Sequence, residues 1–99
     1  MGRILRERDV EAAVKGGSVY AAGGGGWADH GRMLGYAAVS VGRPELVDIE
    51  ELDPEDWVAT AAAIGAPAST TQWEMQGRDY IKAAELLQEA LGERLRGLI

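Results

Sequence analysis

Ninety-nine residues make a single domain that is large enough for a core but small for an enzyme that encloses its substrate, so a partner or self-association is expected. Sixteen acidic side chains against ten basic ones give a net charge of −6, which argues against a broad basic surface for nucleic acids or anionic membranes. The absence of cysteine excludes disulfides, zinc–thiolate sites and thiol nucleophiles, and it leaves the redox compartment open.

The N-terminal segment begins without the apolar core of a signal peptide, and no later stretch is apolar and long enough to span a bilayer. We therefore expect a cytoplasmic protein. A first helix is predicted from Asp9, as its N-terminal cap, up to the glycine run at 23–26. Its apolar positions recur at helical spacing: Val10, Ala13, Val14, Gly17 and Ala21. Gly16 and Gly17 weaken its propensity, which indicates either close backbone packing or a loose end.

A second helix is predicted to begin near Asp29, whose side chain is expected to cap it, with a role as a catalytic acid as the alternative. Its apolar residues form one stripe: Met33, Leu34, Ala37, Ala38 and Val41. Gly42 followed by Pro44 is a strong stop signal.

Two strands are predicted next. Residues 45–49 alternate polar and apolar side chains, as a half-buried strand does. After a turn at 53–56, with Asp53 as its cap, the continuous apolar run at 57–64 favours a buried strand, although a helix remains open. Gly65, Ala66 and Pro67 end this run, and the polar loop after them is of the kind that often carries function.

The last predicted helix has one apolar face and one charged face, which is typical of a docking helix. The apolar face holds Tyr80, Ala83, Ala84, Leu87 and Leu91, and the charged face holds Lys82, Glu85, Glu89 and Glu93. The predicted order is helix, helix, strand, strand, helix, in one small α/β domain over 1–99.

Four consecutive glycines join the two N-terminal helices: Gly23, Gly24, Gly25 and Gly26. Because glycine costs backbone entropy, such a run between ordered elements indicates that something must approach the main chain closely. Bare N–H groups, with the positive end of the next helix dipole, favour an anion or carbonyl site; a flexible connector is the alternative. A P-loop and a dinucleotide fingerprint are excluded, because a helix precedes the run and Trp27 and Ala28 follow it.

The candidate catalytic residues are His30 and Glu74. His30, at or just inside the start of the second helix, lies where the dipole favours a neutral imidazole that can polarise a carbonyl or shuttle a proton; a capping or solvated histidine is the alternative. Glu74 lies between Trp73 and Met75, and apolar neighbours favour the protonated form that a general acid needs, although such a glutamate can also point to water. Trp27 can stack on a flat ring or pack in the core.

Two other chemistries fit poorly. No Gly-x-Ser-x-Gly elbow surrounds Ser18, Ser40 or Ser69, as a serine nucleophile of that class requires. A metal site would rest on His30 with Asp29, which is too small a ligand set, so we expect no metal and no cofactor.

Several of these segments, in this order, resemble the N-terminal part of the DUF917 family. They are residues 10–13, 21–26, Gly31, the predicted strand at 46–48, the turn at 53–56, and Gly65, Ala66 and Pro67. That family includes S-methyl-thiohydantoin desulfurase and is grouped with hydantoinase and oxoprolinase-like proteins. The resemblance covers nearly all of the chain, and the glycine run and the Gly-Ala-Pro segment are its most specific parts.

The resemblance implies action on a five-membered cyclic amide or thioamide. The ligand would lie near the glycine run, Trp27, Asp29 and the loop of Gly65, Ala66 and Pro67. Two positions depart from the family pattern. Relatives commonly have Asp-Pro where this chain has Trp27 and Ala28, so the acidic contact is lost or moves to Asp29. Relatives also carry a glutamate where Gln72 stands here, two residues before Glu74.

The family proteins are several times longer, which leaves two functions open. As a component of a hydrolase-type enzyme, the chain would supply the glycine loop and His30 to a site completed by a second subunit or another copy, and it would be inactive alone. As a non-catalytic subunit, it would bind a small cyclic amide or anion, or serve in assembly.

Overall fold

The computed structural model describes residues 2–21, 27–63 and 75–99. The chain forms two units, Met1–Glu51 (unit 1) and Leu52–Ile99 (unit 2). No helix in the described ranges is both long and apolar enough to cross a membrane.

Unit 1 is built on a pair of helices with a short two-stranded sheet. Its elements are β1 (Arg3–Ile4), α1 (Glu7–Ala21), α2 (Ala28–Val41), β2 (Glu45–Leu46) and a 3₁₀ turn (Ile49–Glu51). β1 and β2 are antiparallel, with Arg3 opposite Leu46. The pairing continues by one bond, because the Leu5 N–H donates to the Pro44 carbonyl at 2.8 Å.

The start of α1 differs from the prediction. The helix begins at Glu7, so Asp9 lies inside its first turn and the predicted position of Asp9 as the N-cap is wrong. From there Asp9 Oδ2 accepts a hydrogen bond from the Arg6 N–H at 2.8 Å, while Asp9 Oδ1 accepts one from Arg3 at 2.7 Å. Asp9 therefore satisfies a free backbone donor from the third helical position, as the acidic half of a capping box does.

α2 begins at Ala28, with Trp27 as the N-cap residue and no side-chain cap. The predicted capping role of Asp29 is therefore wrong, because Asp29 already lies in the first turn. The predicted C-terminal stop is confirmed. α2 ends at Val41, and the Gly42 N–H donates to the Ala38 carbonyl at 3.0 Å before Pro44.

The two helices pack through small residues. On α1 the predicted apolar positions Val10, Ala13, Val14 and Gly17 face α2, and Val10 is buried. On α2 the inner face consists of Gly31, Gly35, Ala38 and Val39. Of the predicted stripe, Ala38 lies on this inner face and Leu34 is half-buried. The other two large members, Met33 and Val41, are 52% and 88% exposed.

Gly35 explains why this inner face, rather than the predicted stripe, packs against α1. A Cβ at position 35 would lie 2.5 Å from Val10 Cγ1, so only glycine permits this approach. Close backbone approach of this kind is a known use of glycine. Val14 lies opposite Gly31 in the same way, 3.8 Å from a Cβ placed there. The pairs 10/35 and 14/31 show that α1 and α2 run antiparallel.

Unit 2 is a β-α-β arrangement of β3 (Trp57–Ala59), α3 (Gly77–Leu91) and β4 (Leu95–Leu98). β3 and β4 are parallel, with Trp57 opposite Leu95 and Val58 opposite Gly97, and the register is irregular between Trp57 and Val58. Parallel neighbours require a long crossover, which here includes α3.

The strands are shorter than predicted. β2 ends at Leu46, and Ile49 belongs to the 3₁₀ turn rather than to a strand. The strand predicted at 57–64 is present only over its first three residues, because β3 stops at Ala59. Residues 60–63 are exposed and outside any strand, and Trp57 is 45% exposed, so the predicted burial is wrong. The alanines at 61–63 have low β propensity, which is consistent with the early end.

α3 carries strong end signals. At its start the Gln76 side chain accepts from the Asp79 backbone, while the Asp79 carboxylate accepts from the Gln76 N–H at 2.7 Å. At its end Gly92 adopts the left-handed conformation, with φ of 68°. Three helices with short strands confirm the predicted α/β class. That the chain forms one domain stays a prediction.

Candidate functional site

Much of the predicted site lies outside the described residues. This holds for the glycine run, for the Gly-Ala-Pro segment and for one of the two catalytic candidates: Gly23, Gly24, Gly25, Gly26, Gly65, Ala66, Pro67 and Glu74. The structure describes the remaining site residues, Trp27, Asp29 and His30, and places all three at the N-terminal end of α2.

Trp27 and His30 form a ring pair. Their ring centroids are 6.1 Å apart and the planes meet at 85°, an edge-to-face geometry. Trp27 is 48% exposed, whereas His30 is half-buried. Because α2 begins between them, with the Gly31 N–H donating to the Trp27 carbonyl at 2.9 Å, the helix fixes the spacing of the two side chains. An imidazole and an indole therefore stand together directly after the glycine run in sequence.

Asp29 belongs to a chain of polar contacts that ties α2 to α1. Asp29 Oδ1 lies 3.1 Å from Arg32 Nη1, and Arg32 Nε donates to Glu11 Oε1 at 3.0 Å. The Tyr36 hydroxyl donates to the same Glu11 oxygen at 2.6 Å. We call Asp29, Arg32, Glu11 and Tyr36 the polar clamp.

Sequence reasoning missed the polar clamp, because Glu11 is readily assigned to a solvated face of α1. A signal was present in α2, where Arg32 and Tyr36 are four residues apart and Asp29 is three residues before Arg32, which puts all three on neighbouring positions of one helix surface. Sequence periodicity cannot show that the Glu11 carboxylate of α1 contacts Arg32 and Tyr36.

The polar clamp fixes the charge state of its members. The hydrogen bond from Tyr36, followed by that from Arg32, lowers the pKa of Glu11. The same bond to Glu11 raises the pKa of Tyr36. At neutral pH Glu11 is therefore an anion and Tyr36 a neutral phenol. The pair thus links α1 to α2 by a hydrogen bond and is not poised to act as an acid and a base.

A cleft of about 380 Å³ runs between α1 and α2, and its lining is almost wholly apolar. Because the helices are antiparallel, Trp27 and Ala28 line the same end of the cleft as Gly17 and Ser18. Trp27 thus belongs both to the cleft and to the ring pair with His30.

Unit 2 has a separate open groove of about 740 Å³. Acidic side chains dominate its lining: Glu55, Asp56, Glu85, Glu89 and Glu93, with Lys82 and Arg94. No described member of the predicted site lies in it. Across residues 2–21, 27–63 and 75–99, no group of three histidine or carboxylate side chains could hold a metal ion.

The antiparallel helix pair with short strands and a β-α-β unit defines a small α/β module. Over residues 8–99 the chain matches the family model described as "S-Me-THD-like, N-terminal domain". The chain therefore belongs to the S-Me-THD-like family, formerly DUF917, and corresponds to its N-terminal domain, which confirms the resemblance inferred from the sequence. No curated protein and no solved structure matches it.

Proposed function

We propose that this chain is a component of a hydrolase-type enzyme that acts on hydantoin- or thiohydantoin-like cyclic amides, with the glycine-rich loop binding the ligand. The observation that carries the proposal is the Trp27–His30 pair at the N-terminal end of α2, in a chain of the S-Me-THD-like family. A flat five-membered ring is the type of ligand that an exposed indole beside an imidazole suits.

The proposed chemistry uses groups of this chain for polarisation and proton transfer. When a nucleophile adds to the ring C=O or C=N, the developing negative charge needs N–H donors, and glycine N–H groups ahead of a helix N-terminus can supply them. His30, in the first turn of α2, is the proposed proton carrier for the ring nitrogen or the leaving group. Gly65, Ala66 and Pro67 are proposed as the second ligand loop, and Glu74 as a further acid.

The charges around α2 favour a neutral ring over an anion. Arg32 is the nearest cation in sequence to the ring pair, and it is already bonded to both Glu11 and Asp29. An anionic ligand would have to compete with two carboxylates for this guanidinium, whereas a cyclic amide needs only N–H and C=O partners.

The sequence supplies few candidate catalytic groups besides His30 and Glu74. The chain has no cysteine and one histidine, so we propose that a second subunit or another copy completes the site and that the isolated chain does not turn over substrate. The exposed outer residues of α2, Met33 and Val41, also support a second candidate function, that of a non-catalytic binding or assembly subunit.

Ring binding by the purified chain tests the proposal. Calorimetric titration with hydantoin and thiohydantoin should give binding for the wild type and weaker binding when both Gly24 and Gly25 are replaced by alanine. 5-Oxoproline, whose carboxylate is ionised at neutral pH, should bind more weakly than either neutral ring. The matched control is Gly16→Ala, which changes a glycine in α1 where a new Cβ meets no atom within 4 Å. If no ring binds and the loop variant behaves as the control does, the proposal is wrong.

Turnover separates the two candidate functions. With the completing subunit added, His30→Gln should retain ring binding and lose ring opening, because glutamine keeps a polar group but cannot carry a proton at neutral pH. Ring binding without any turnover in the completed complex would favour the binding subunit instead.

A further inference from the structure

We propose that the outer side of α2 is the contact surface of a symmetric dimer, in which α2 of one copy packs antiparallel against α2 of a second copy of this chain. The surface consists of Asp29, Met33, Ala37 and Val41, which we call the outer row. The inference names a partner that the proposed function leaves open, and it does not depend on ring binding.

The apolar part of the outer row faces away from α1. Met33, Ala37 and Val41 follow one another at intervals of four residues, so they lie one turn apart along one side of the helix. Met33 lies midway in sequence between Gly31 and Gly35 of the inner face, which at about 3.6 residues per turn puts it on the opposite side of α2. Met33 and Val41 are 52% and 88% exposed, and Ala37 is exposed as well. Exposed apolar side chains in a continuous row indicate a contact surface, whereas scattered ones do not.

Opposite charges lie at the two ends of the outer row. Asp29 begins the row, four residues before Met33, and its side chain is fully exposed, with a contact of 3.1 Å to Arg32 of the same helix. Arg43 is exposed and lies two positions after Val41, the last residue of α2. In the described ranges the Arg43 guanidinium forms no salt bridge. The order along α2 is therefore an acid, an apolar row and a base.

An antiparallel second copy matches this order at both ends. When two copies cross at Ala37, Met33 of each copy lies opposite Val41 of the other, and Asp29 of each comes near Arg43 of the other. Each favourable contact then occurs twice, as in any two-fold symmetric interface. Parallel pairing would instead place like charges together at both ends, which is unfavourable. The small side chain of Ala37 allows the two helices to approach closely at the axis.

The same pairing brings the second copy to the candidate site. His30 directly follows Asp29 in the first turn of α2, so the C-terminal end of α2 from the second copy would lie beside it. A dimer of this kind places groups of another copy next to each Trp27–His30 pair, which is where the proposed function requires a completing polypeptide.

Sedimentation equilibrium of the purified chain measures the association. One helix pair buries less than the roughly 800 Å² per partner of a standard interface, so we expect a dissociation constant on the order of 10 to 100 µM. Val41→Glu should weaken the dimer about tenfold or more, because it buries a carboxylate opposite Met33. Val19→Glu is the matched control, since Val19 is 76% exposed in the last turn of α1, and it should leave the dimer unchanged.

Charge reversal tests the antiparallel arrangement. Arg43→Glu brings two carboxylates together at each end of the interface, and Asp29→Arg brings two guanidinium groups together, so each variant alone should dimerise more weakly than the wild type. A mixture of the two variants should form a heterodimer more tightly than either variant pairs with itself, because opposite charges then meet at both ends. A mixture that associates no better than the separate variants would overturn the inference.

A cysteine at the axis gives an independent measurement. The chain has no cysteine, so Ala37→Cys introduces a single thiol. Two copies of position 37 at a two-fold axis lie within disulfide range, and oxidation should cross-link this variant rapidly. Ala12→Cys, at an exposed position of α1, is the control and should cross-link slowly. Equal rates for the two variants would contradict the proposed axis.

The outcomes separate this inference from the proposed function. A wild-type chain that remains monomeric up to about 1 mM, or equal effects of Val41→Glu and Val19→Glu, would overturn the dimer. If such a monomer binds hydantoin, the proposed function stands and a different subunit completes the site. A dimer that shows the expected variant pattern but binds no ring supports this inference and contradicts the proposed function.

Discussion

Each of the two units of this chain is stabilised internally by a different kind of contact. In unit 1, side chains far apart in sequence meet between helices, as Glu11 does with Arg32 and Tyr36. In unit 2, the side-chain bonds at the ends of α3 are local: Gln76 pairs with Asp79, and Gln88 accepts from the Leu95 N–H. The comparison teaches that unit 1 depends on how closely its helices approach, whereas the helix of unit 2 is specified largely by its own ends.

The largest effect is expected where the helices of unit 1 come closest. Gly35→Ala should lower the free energy of unfolding of unit 1 by about 2 kcal/mol, because the new methyl meets the stiff, buried side chain of Val10. Gly16→Ala is the matched control and should raise it by about 1 kcal/mol through helix propensity alone. Urea unfolding followed by circular dichroism measures both.

Rescue makes this test specific for the helix contact. In the Gly35→Ala background, Val10→Ala should be less harmful than it is alone, because it removes the isopropyl group that the new methyl meets. If Gly35→Ala stabilises unit 1 as Gly16→Ala does, the close approach of α1 and α2 is wrong.

A smaller and more local effect is expected at the start of α3. Asp79→Ala removes the carboxylate that accepts from the Gln76 N–H and should cost about 1 kcal/mol, the usual loss for a helix cap. Amide hydrogen exchange should accelerate first in the first turn of α3. Glu85→Ala, in the middle of the same helix, is the control and should leave that turn protected.

The other end of α3 gives an effect of similar or lesser size. Gly92→Ala should cost about 1 kcal/mol, because alanine adopts the left-handed conformation at 68° only with strain. Gly97→Ala adds the same methyl in β4, where a Cβ likewise meets nothing within 4 Å, and should be neutral or slightly stabilising. Equal losses in thermal unfolding would contradict a special role of Gly92.

The smallest effect is a pH dependence of unit 1. The pKa of Glu11 is lowered from its ordinary value of 4.5 in the folded chain, so its contribution to stability is present above that pH and is lost as the pH falls through the folded pKa. The pKa of Tyr36 is raised above its ordinary value of 10.0, so its contribution is complete below that pH and is lost as the pH rises through the folded pKa.

Tyr36→Phe should therefore remove the loss of unfolding free energy at alkaline pH that comes from Tyr36. It should also reduce the loss at acidic pH that comes from Glu11, since it removes the strongest hydrogen bond to Glu11. The loss at acidic pH should persist in part, because Arg3 lowers the pKa of Asp9 and the Asp48 N–H lowers that of Glu51. Urea titrations between acidic and alkaline pH measure both losses. A Tyr36→Phe profile identical to that of the wild type would show that the polar clamp is absent in solution.

Features that depend on residues close together in sequence were predictable. The α/β class, the three helices and the stop at Gly42 are confirmed, because apolar spacing and turn residues act over a few positions. Strand lengths were not predictable, since a strand extends only as far as its partner. β3 has a short partner in β4, which sequence periodicity did not identify at all.

The inner face of α2 shows a second limit of sequence reasoning. Hydrophobicity pointed to Met33 and Val41, whereas the structure packs Gly31 and Gly35 against α1. By hydrophobicity and helix propensity a glycine is an unfavourable residue for a packed helix face. Here Gly35 is favourable because it has no side chain, which lets α2 approach Val10 of α1 closely. For the candidate site, the sequence correctly placed Trp27 and His30 at the start of α2 but could not show their edge-to-face contact or the polar clamp beside them.

The parallel pairing of β3 with β4 has a consequence for the order of folding. The α1–α2 hairpin can form as soon as residues up to Val41 are available, since its partners follow each other closely in sequence. β3, at Trp57–Ala59, must wait for Leu95–Leu98, and closing so long a loop costs chain entropy before any bond repays it. On the ribosome the N-terminal half should therefore become protease-resistant while β3 of the nascent chain is still an unpaired edge.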